Sequence, residues 1–185
     1  MNKAFLAMAL AAMPAAGNAQ FSLKPMVGAT LTNVTCTGKT YKVGVAAGLE
    51  TEMPVAKRLS VALGAYYSKQ GGREIDVDMN LHYVNFPLTA NYYIVKGLAV
   101  KTGIQFGVNV VSEYKWQGYR VSNVTDYFRD FVFDIPVGLS YEYRHFVADA
   151  RYNLGITRVG KSDSVHAKDG YNSVFMLTLG YKFTF

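Results

Sequence analysis

From Phe21 to Phe185 the chain alternates apolar and polar residues with a period of two, the repeat of a half-buried β-strand. Eight stretches carry the pattern: 22–31, 41–51, 59–69, 79–94, 98–113, 129–143, 145–158 and 173–185. The last is the clearest. Phe175, Leu177, Leu179, Tyr181, Phe183 and Phe185 share one face, and Val174, Met176, Thr178, Gly180, Lys182 and Thr184 share the other. The same split collects Val43, Val45, Ala47 and Leu49, then Leu59 to Tyr67, Val84 to Ile94, and Val100 with Ile104, Phe106, Val108 and Val110. Phe131 to Tyr143 and Phe146 to Ile156, again at every second residue, complete the apolar face, and none of these positions is charged.

Alternation alone leaves open which face is inside. A soluble, lipocalin-like barrel would turn the apolar face inward around a ligand. Glycine argues otherwise: Gly28, Gly44, Gly48, Gly64, Gly103, Gly107, Gly138, Gly155 and Gly180 all lie on the polar face. Glycine weakens a strand and a water-facing surface has no use for it, whereas the cramped interior of an eight-stranded barrel needs small residues. The apolar face is also too rich in aromatic rings to fit inside. The expected fold is therefore all-β: an eight-stranded antiparallel up-and-down transmembrane β-barrel, with the polar face lining the lumen and the apolar face against lipid.

Connections agree with this reading. Turns near 52–57, 95–97 and 144 are short, and connections near 32–40, 70–78, 114–128 and 159–172 are long and polar. They alternate as periplasmic turns and extracellular loops do, which puts both termini on the periplasmic side. A ten-strand count would need strands hidden in the long connections. Residues 86–93 resemble residues 135–142, which reads as two hairpins under the same lipid constraint, with a duplicated ancestor as the alternative. Each copy holds a proline, and a closed barrel has no edge strand to accommodate one. A bulge or a locally broken ladder is expected at Pro87 and Pro136.

Composition adds the compartment. Lys3 precedes ten apolar residues, Ala4 to Met13, and Gly17-Asn18-Ala19 places small residues before Gln20. That is the pattern of a cleavable signal peptide over 1–19, with a barrel domain over 20–185. An apolar run so short cannot span a bilayer, which needs ~20 residues. The 14 Tyr, 11 Phe and 17 Gly suit strands and tight turns, and mean hydropathy is only +0.07. A single cysteine, Cys36, excludes an intrachain disulfide and a cysteine metal cluster. The net charge of +6 is dispersed, so no nucleic-acid surface is expected.

The strands that hold Phe86-Pro87-Leu88 and Ile135-Pro136-Val137, each with tyrosine near the turn that follows, carry a recognisable pattern. With the signal peptide and the terminal Tyr181-Lys182-Phe183-Thr184-Phe185, the chain resembles a PorT-like member of the small outer-membrane β-barrel superfamily. The resemblance covers the whole mature chain. It implies residence in the cell outer membrane of a Gram-negative bacterium. It also implies that Tyr181, Phe183 and Phe185 form the signal read by the barrel-assembly machinery. That superfamily holds structural barrels, adhesins, secretion accessories and a few lipid-modifying enzymes, so membership implies location more than function.

The lumen face carries Lys24, Lys42, Lys101, Arg151 and Lys182 against Glu50, Asp134, Glu142 and Asp149, with Asn85, Asn91, Gln105, Asn109 and Asn153 among them. A proton or ion path is one reading. The other is an interior network that fills the lumen, because buried charges must be paired and eight strands leave no room for an aqueous pore. The network is the expectation. Ser164 and Asp163 beside His166 are the residue types of a hydrolytic triad, but three loop neighbours without a supporting motif read as polar loop residues. His82, His145 and His166 are too dispersed for metal-ligand spacing. No catalytic site, cofactor or metal is expected. Lys115, Trp116, Tyr119 and Arg120 form an aromatic and basic stretch of the third long loop. They are candidates for contact with lipopolysaccharide or a partner, or for interfacial anchoring.

The sequence thus points to a monomeric, non-enzymatic outer-membrane barrel that acts structurally or through its extracellular loops. A PorT-like accessory to protein secretion is the first alternative, and an outer-leaflet lipid-modifying enzyme the second.

Overall fold

A computed structural model describes residues 20–34, 41–71, 73–74, 77–116, 119–122, 131–158 and 171–185. At 33–34, 73–74, 77–79, 112–116, 119–122, 158 and 171–172 it describes the backbone alone. The strands are β1 (Ser22–Val34), β2 (Lys42–Ala56), β3 (Leu59–Gln70), β4 (Arg73–Glu74), β5 (Val77–Val95), β6 (Leu98–Trp116), β7 (Tyr119–Ser122), β8 (Phe131–Tyr143), β9 (Phe146–Arg158), β10 (Tyr171–Tyr181) and β11 (Phe183–Thr184).

Eight of them are staves of one closed sheet, in the order β5-β3-β2-β1-β10-β9-β8-β6, and β6 pairs back onto β5. Every pairing is antiparallel. Closure leaves no free edge, so each stave finds ladder partners on both sides, the condition for strands in hydrocarbon. The three short strands add no staves. β4 follows β3 along β5, β11 follows β10 along β1, and β7 folds back on β6. Two of them fall in long connections, and the count remains eight.

The faces sort as the alternation requires. Outward residues such as Val27, Ile104 and Leu179 are more than 60% exposed, while their neighbours Met26, Gln105 and Thr178 are buried. Apolar residues also fill parts of the interior: Met26, Ala46, Tyr66, Val147 and Met176 form one cluster, and Leu81, Tyr83 and Val132 another.

The first short turn is narrower than expected. β2 runs through Pro54 to Ala56, with a register shift between those residues, and leaves only Lys57 and Arg58 as the turn. The other short turns are Lys96-Gly97 and Arg144-His145. Gly97 sits at φ +87°, where a side chain is strained, and Arg144 accepts φ +57°. Both expected prolines interrupt a ladder without bulging it. Pairing of β3 with β5 skips the two positions at Phe86 and Pro87, and pairing of β6 with β8 skips those at Ile135 and Pro136, while the register resumes unchanged. A proline has no amide to donate, so one ladder loses a bond and the other holds the strand in place.

Candidate functional site

The short-turn half of the lumen is crossed by ion pairs. Lys24 of β1 lies opposite Glu50 of β2 in the register, and its Nζ is 3.3 Å from Glu50 Oε1. The same Nζ contacts Glu52 and lies 3.6 Å from Glu142 of β8. Lys101 of β6 donates to Glu50 at 2.9 Å and to Asp149 of β9 at 2.7 Å. Arg151, two positions along β9 from Asp149 and so on the same face, donates from Nε to Asp149 at 2.7 Å. Its Nη2 donates to Glu50 at 3.0 Å and to Tyr66 Oη at 3.3 Å. Nearer the mouth, Lys182 donates to Glu142 at 2.8 Å, and Tyr93 of β5 donates to Glu52 at 2.6 Å and Glu142 at 3.0 Å. Ser60 of β3 bonds Glu52.

Four cations and four carboxylates therefore balance in one connected group, among the described residues. The charges come from β1, β2, β6, β8, β9 and, with Lys182, the junction of β10 and β11, while β3 and β5 supply the hydroxyls of Ser60, Tyr66 and Tyr93. Most members are nearly sealed from solvent: Lys24, Glu50, Asp149 and Arg151 are at most 2% exposed. Charges so placed are tolerable only because each meets opposite charge and hydrogen-bond partners.

Small residues make the room. The Arg151 guanidinium lies 4.8 Å from the centre of the Tyr66 ring, and that ring occupies the space over Gly64. A Cβ on Gly64 would stand 2.6 Å from Tyr66 Cε2. Gly138, between Lys101 and Arg151 in the register, is as tight: a Cβ there would stand 2.8 Å from that of Arg151.

Of the lumen charges expected from sequence, Lys24, Glu50, Lys101, Glu142, Asp149, Arg151 and Lys182 come together. Two do not join them. Lys42 begins β2 at the long-loop end, opposite Thr32, and Asp134 lies further along β8, where it accepts the amide of Gln105 at 2.8 Å. Glu52, Ser60, Tyr66 and Tyr93 belong to the group and were not anticipated. Glu52 has the parity of Glu50 and needed only one more strand residue. Tyr66 and Tyr93 each adjoin an outward tyrosine, so an aromatic pair hides which ring points inward.

Other expected positions are elsewhere. Tyr181, Phe183 and Phe185 face outward at the short-turn rim, where the Phe185 ring stacks on Phe21 at 5.2 Å and its amide donates to the Phe21 carbonyl at 3.0 Å. Lys115 and Trp116 pair through the backbone with Arg120 and Tyr119 in the β6–β7 hairpin; their side chains lie outside the described residues. Asp163, Ser164, His166 and residues 1–19 also lie outside them. His145 stacks on Tyr181 at 5.4 Å, and His82 bonds Tyr67 on the outer surface.

A closed sheet with a charged interior and an apolar exterior defines a transmembrane β-barrel of the outer-membrane class. The profile of the outer membrane protein beta-barrel domain family matches residues 11–160, and the chain belongs to that family. Among solved structures it is similar to Ail, the attachment invasion locus protein of Yersinia pestis, at 18% identity and a TM-score of 0.56, over 90% of this chain and 100% of that one. It is also similar to Neisserial surface protein A, at 13% identity and a TM-score of 0.57, over 88% and 97% of the two chains. No curated protein matches the sequence. At these identities the likeness is one of fold.

Proposed function

We propose that the protein is a non-enzymatic, non-conducting outer-membrane barrel whose work is done by the long loops at the cell surface. In this reading residues 1–19 are a cleaved signal peptide, and the short turns face the periplasm, the usual arrangement for this class. The observation that carries it is the asymmetry of the two ends. A membrane-spanning strand needs ~9–11 tilted residues. β5 and β6 have 19 each, and their excess at the long-loop end gathers β4 and β7 into a four-stranded extension. Strands that outrun the bilayer display sheet and loops to whatever lies outside. The opposite end has two-residue turns, which offer a PorT-like secretion partner little surface. The balanced ion-pair group supports a plugged lumen.

Gene deletion scored together for surface adhesion, detergent sensitivity and secreted proteins tests the reading. Loss of adhesion or envelope integrity with normal secretion is expected, reproduced when residues 117–130 are replaced by a short linker. A selective secretion defect would favour the PorT-like alternative. In planar bilayers the purified protein should show no large, steady conductance, and a stable open channel would overturn the plugged lumen.

A further inference from the structure

Among the described residues, the charged side chains that stand exposed number four, and all are cations: Lys57, Arg58, Lys96 and Arg144. Each sits on a short turn. Lys182 stands half-buried at the same rim, and the carboxylates nearby, Glu52 and Glu142, are already engaged with Lys24, Lys182 and Tyr93. The exposed side-chain charge of this rim is thus positive.

The cations are also held in place. The Arg58 carbonyl accepts the amide of Tyr93 at 2.8 Å, the Gly97 carbonyl that of Glu142 at 2.7 Å, and the His145 carbonyl that of Lys182 at 2.7 Å. Each turn is clasped by the next stave round the ring, so the roots of the cations are fixed. Outward aromatic residues stand directly beneath. The Arg144 guanidinium lies 5.6 Å from the Tyr143 ring centre, Tyr143 is 60% exposed, and Phe146, Tyr181, Phe183 and Phe185 continue the belt. Aromatic belts mark headgroup depth in membranes. Cations immediately beyond such a belt lie where lipid phosphates lie.

We infer that the short-turn rim is a binding surface for the anionic phospholipid headgroups of the inner, periplasmic leaflet. The inference rests on the orientation proposed above. A cell-wall polymer would also be anionic, but the adjoining aromatic belt fits a lipid and has no part in holding a polymer out in the periplasm.

The test uses the mature chain in detergent micelles with equal phosphatidylglycerol and phosphatidylcholine, and counts retained lipids by native mass spectrometry. Wild type should retain severalfold more phosphatidylglycerol than phosphatidylcholine at low ionic strength, and lose the preference in half-molar salt, as screening requires. The combined Lys57→Gln, Arg58→Gln, Lys96→Gln, Arg144→Gln variant, folded by its gel mobility, should show no preference. Lys69→Gln, on a strand near the other end, should behave as wild type. A quadruple variant that keeps the preference, or a wild type without one, overturns the inference. Co-sedimentation with peptidoglycan sacculi in place of lipid retention overturns it in favour of a cell-wall contact. Orientation is checked separately by Lys96→Cys in a Cys36→Ser background. An impermeant maleimide that labels this cysteine on intact cells overturns the leaflet assignment even if the lipid preference stands.

Discussion

Arg151 reaches across the lumen to Glu50, 101 positions earlier in the chain, with Nη2 3.0 Å from Oε2. The same guanidinium holds Asp149 and lies over the Tyr66 ring. One cation thus ties β9 to β2 and β3 inside the barrel.

Arg151→Ala should be the most damaging single change in the lumen. It leaves Glu50 and Asp149 to share Lys101 and Lys24, and breaking a buried pair from one side typically costs about 3–5 kcal/mol. The temperature at which the folded band is lost on SDS gels should fall accordingly. A variant as heat-resistant as its parent would count against the network as a source of stability.

Glu52→Gln should cost less than Arg151→Ala. The carbonyl of the new side-chain amide would still accept from Ser60 and Tyr93, and Lys24 keeps Glu50 and Glu142. Urea unfolding in detergent orders the two variants, and the reverse order would mean that the mouth, not the middle, anchors the group.

Gly64→Val should destabilise by about 1–3 kcal/mol, the usual range for overpacking, because the added carbons meet the Tyr66 ring. Adding Tyr66→Ala should recover part of that loss. Additive effects in the double variant would show that the two residues do not press on each other.

Leu139→Arg should cost ~2–4 kcal/mol if Leu139 lies near the bilayer midplane. Cysteines at Leu139 and Leu179 should react with lipid-soluble probes, and those at Ser140 and Thr178 should not, since the first pair is more than half exposed and the second is buried. Reversed labelling would mean an apolar interior.

The staves were legible because lipid and lumen impose opposite demands at every second residue, so Leu139 and Ser140 declare their faces without any tertiary information. The short turns were legible less well. β2 was expected to end at 51, yet it runs through Pro54 to Ala56, since a proline costs a strand only the bond its own amide would make and the register shift beside it absorbs the misfit. Glu52 was missed for that reason. The partners of the lumen charges were not legible, because they depend on strand register. The up-and-down order puts Lys42, just past a long connection, at the loop end and Lys24 at the other, but only the stagger between strands decides which carboxylate each meets. Asp134 stands nearer the loop end than Asp149, and that difference in height keeps it from the cations.

Because the charges come from β1, β2, β6, β8, β9 and the β10–β11 junction, at both ends of the chain, no run of neighbouring strands can complete the group. A half-assembled sheet entering the bilayer would carry lysines and carboxylates whose partners are still outside, and hydrocarbon offers nothing in exchange. The ladder between β5 and β6 can form as a local hairpin, but Glu50 cannot meet Arg151 until the two ends of the chain have come round to each other. Such long-range contacts are slow to form. The group is therefore completed only when the seam between β1 and β10 closes, and opening that seam would strand its charges again.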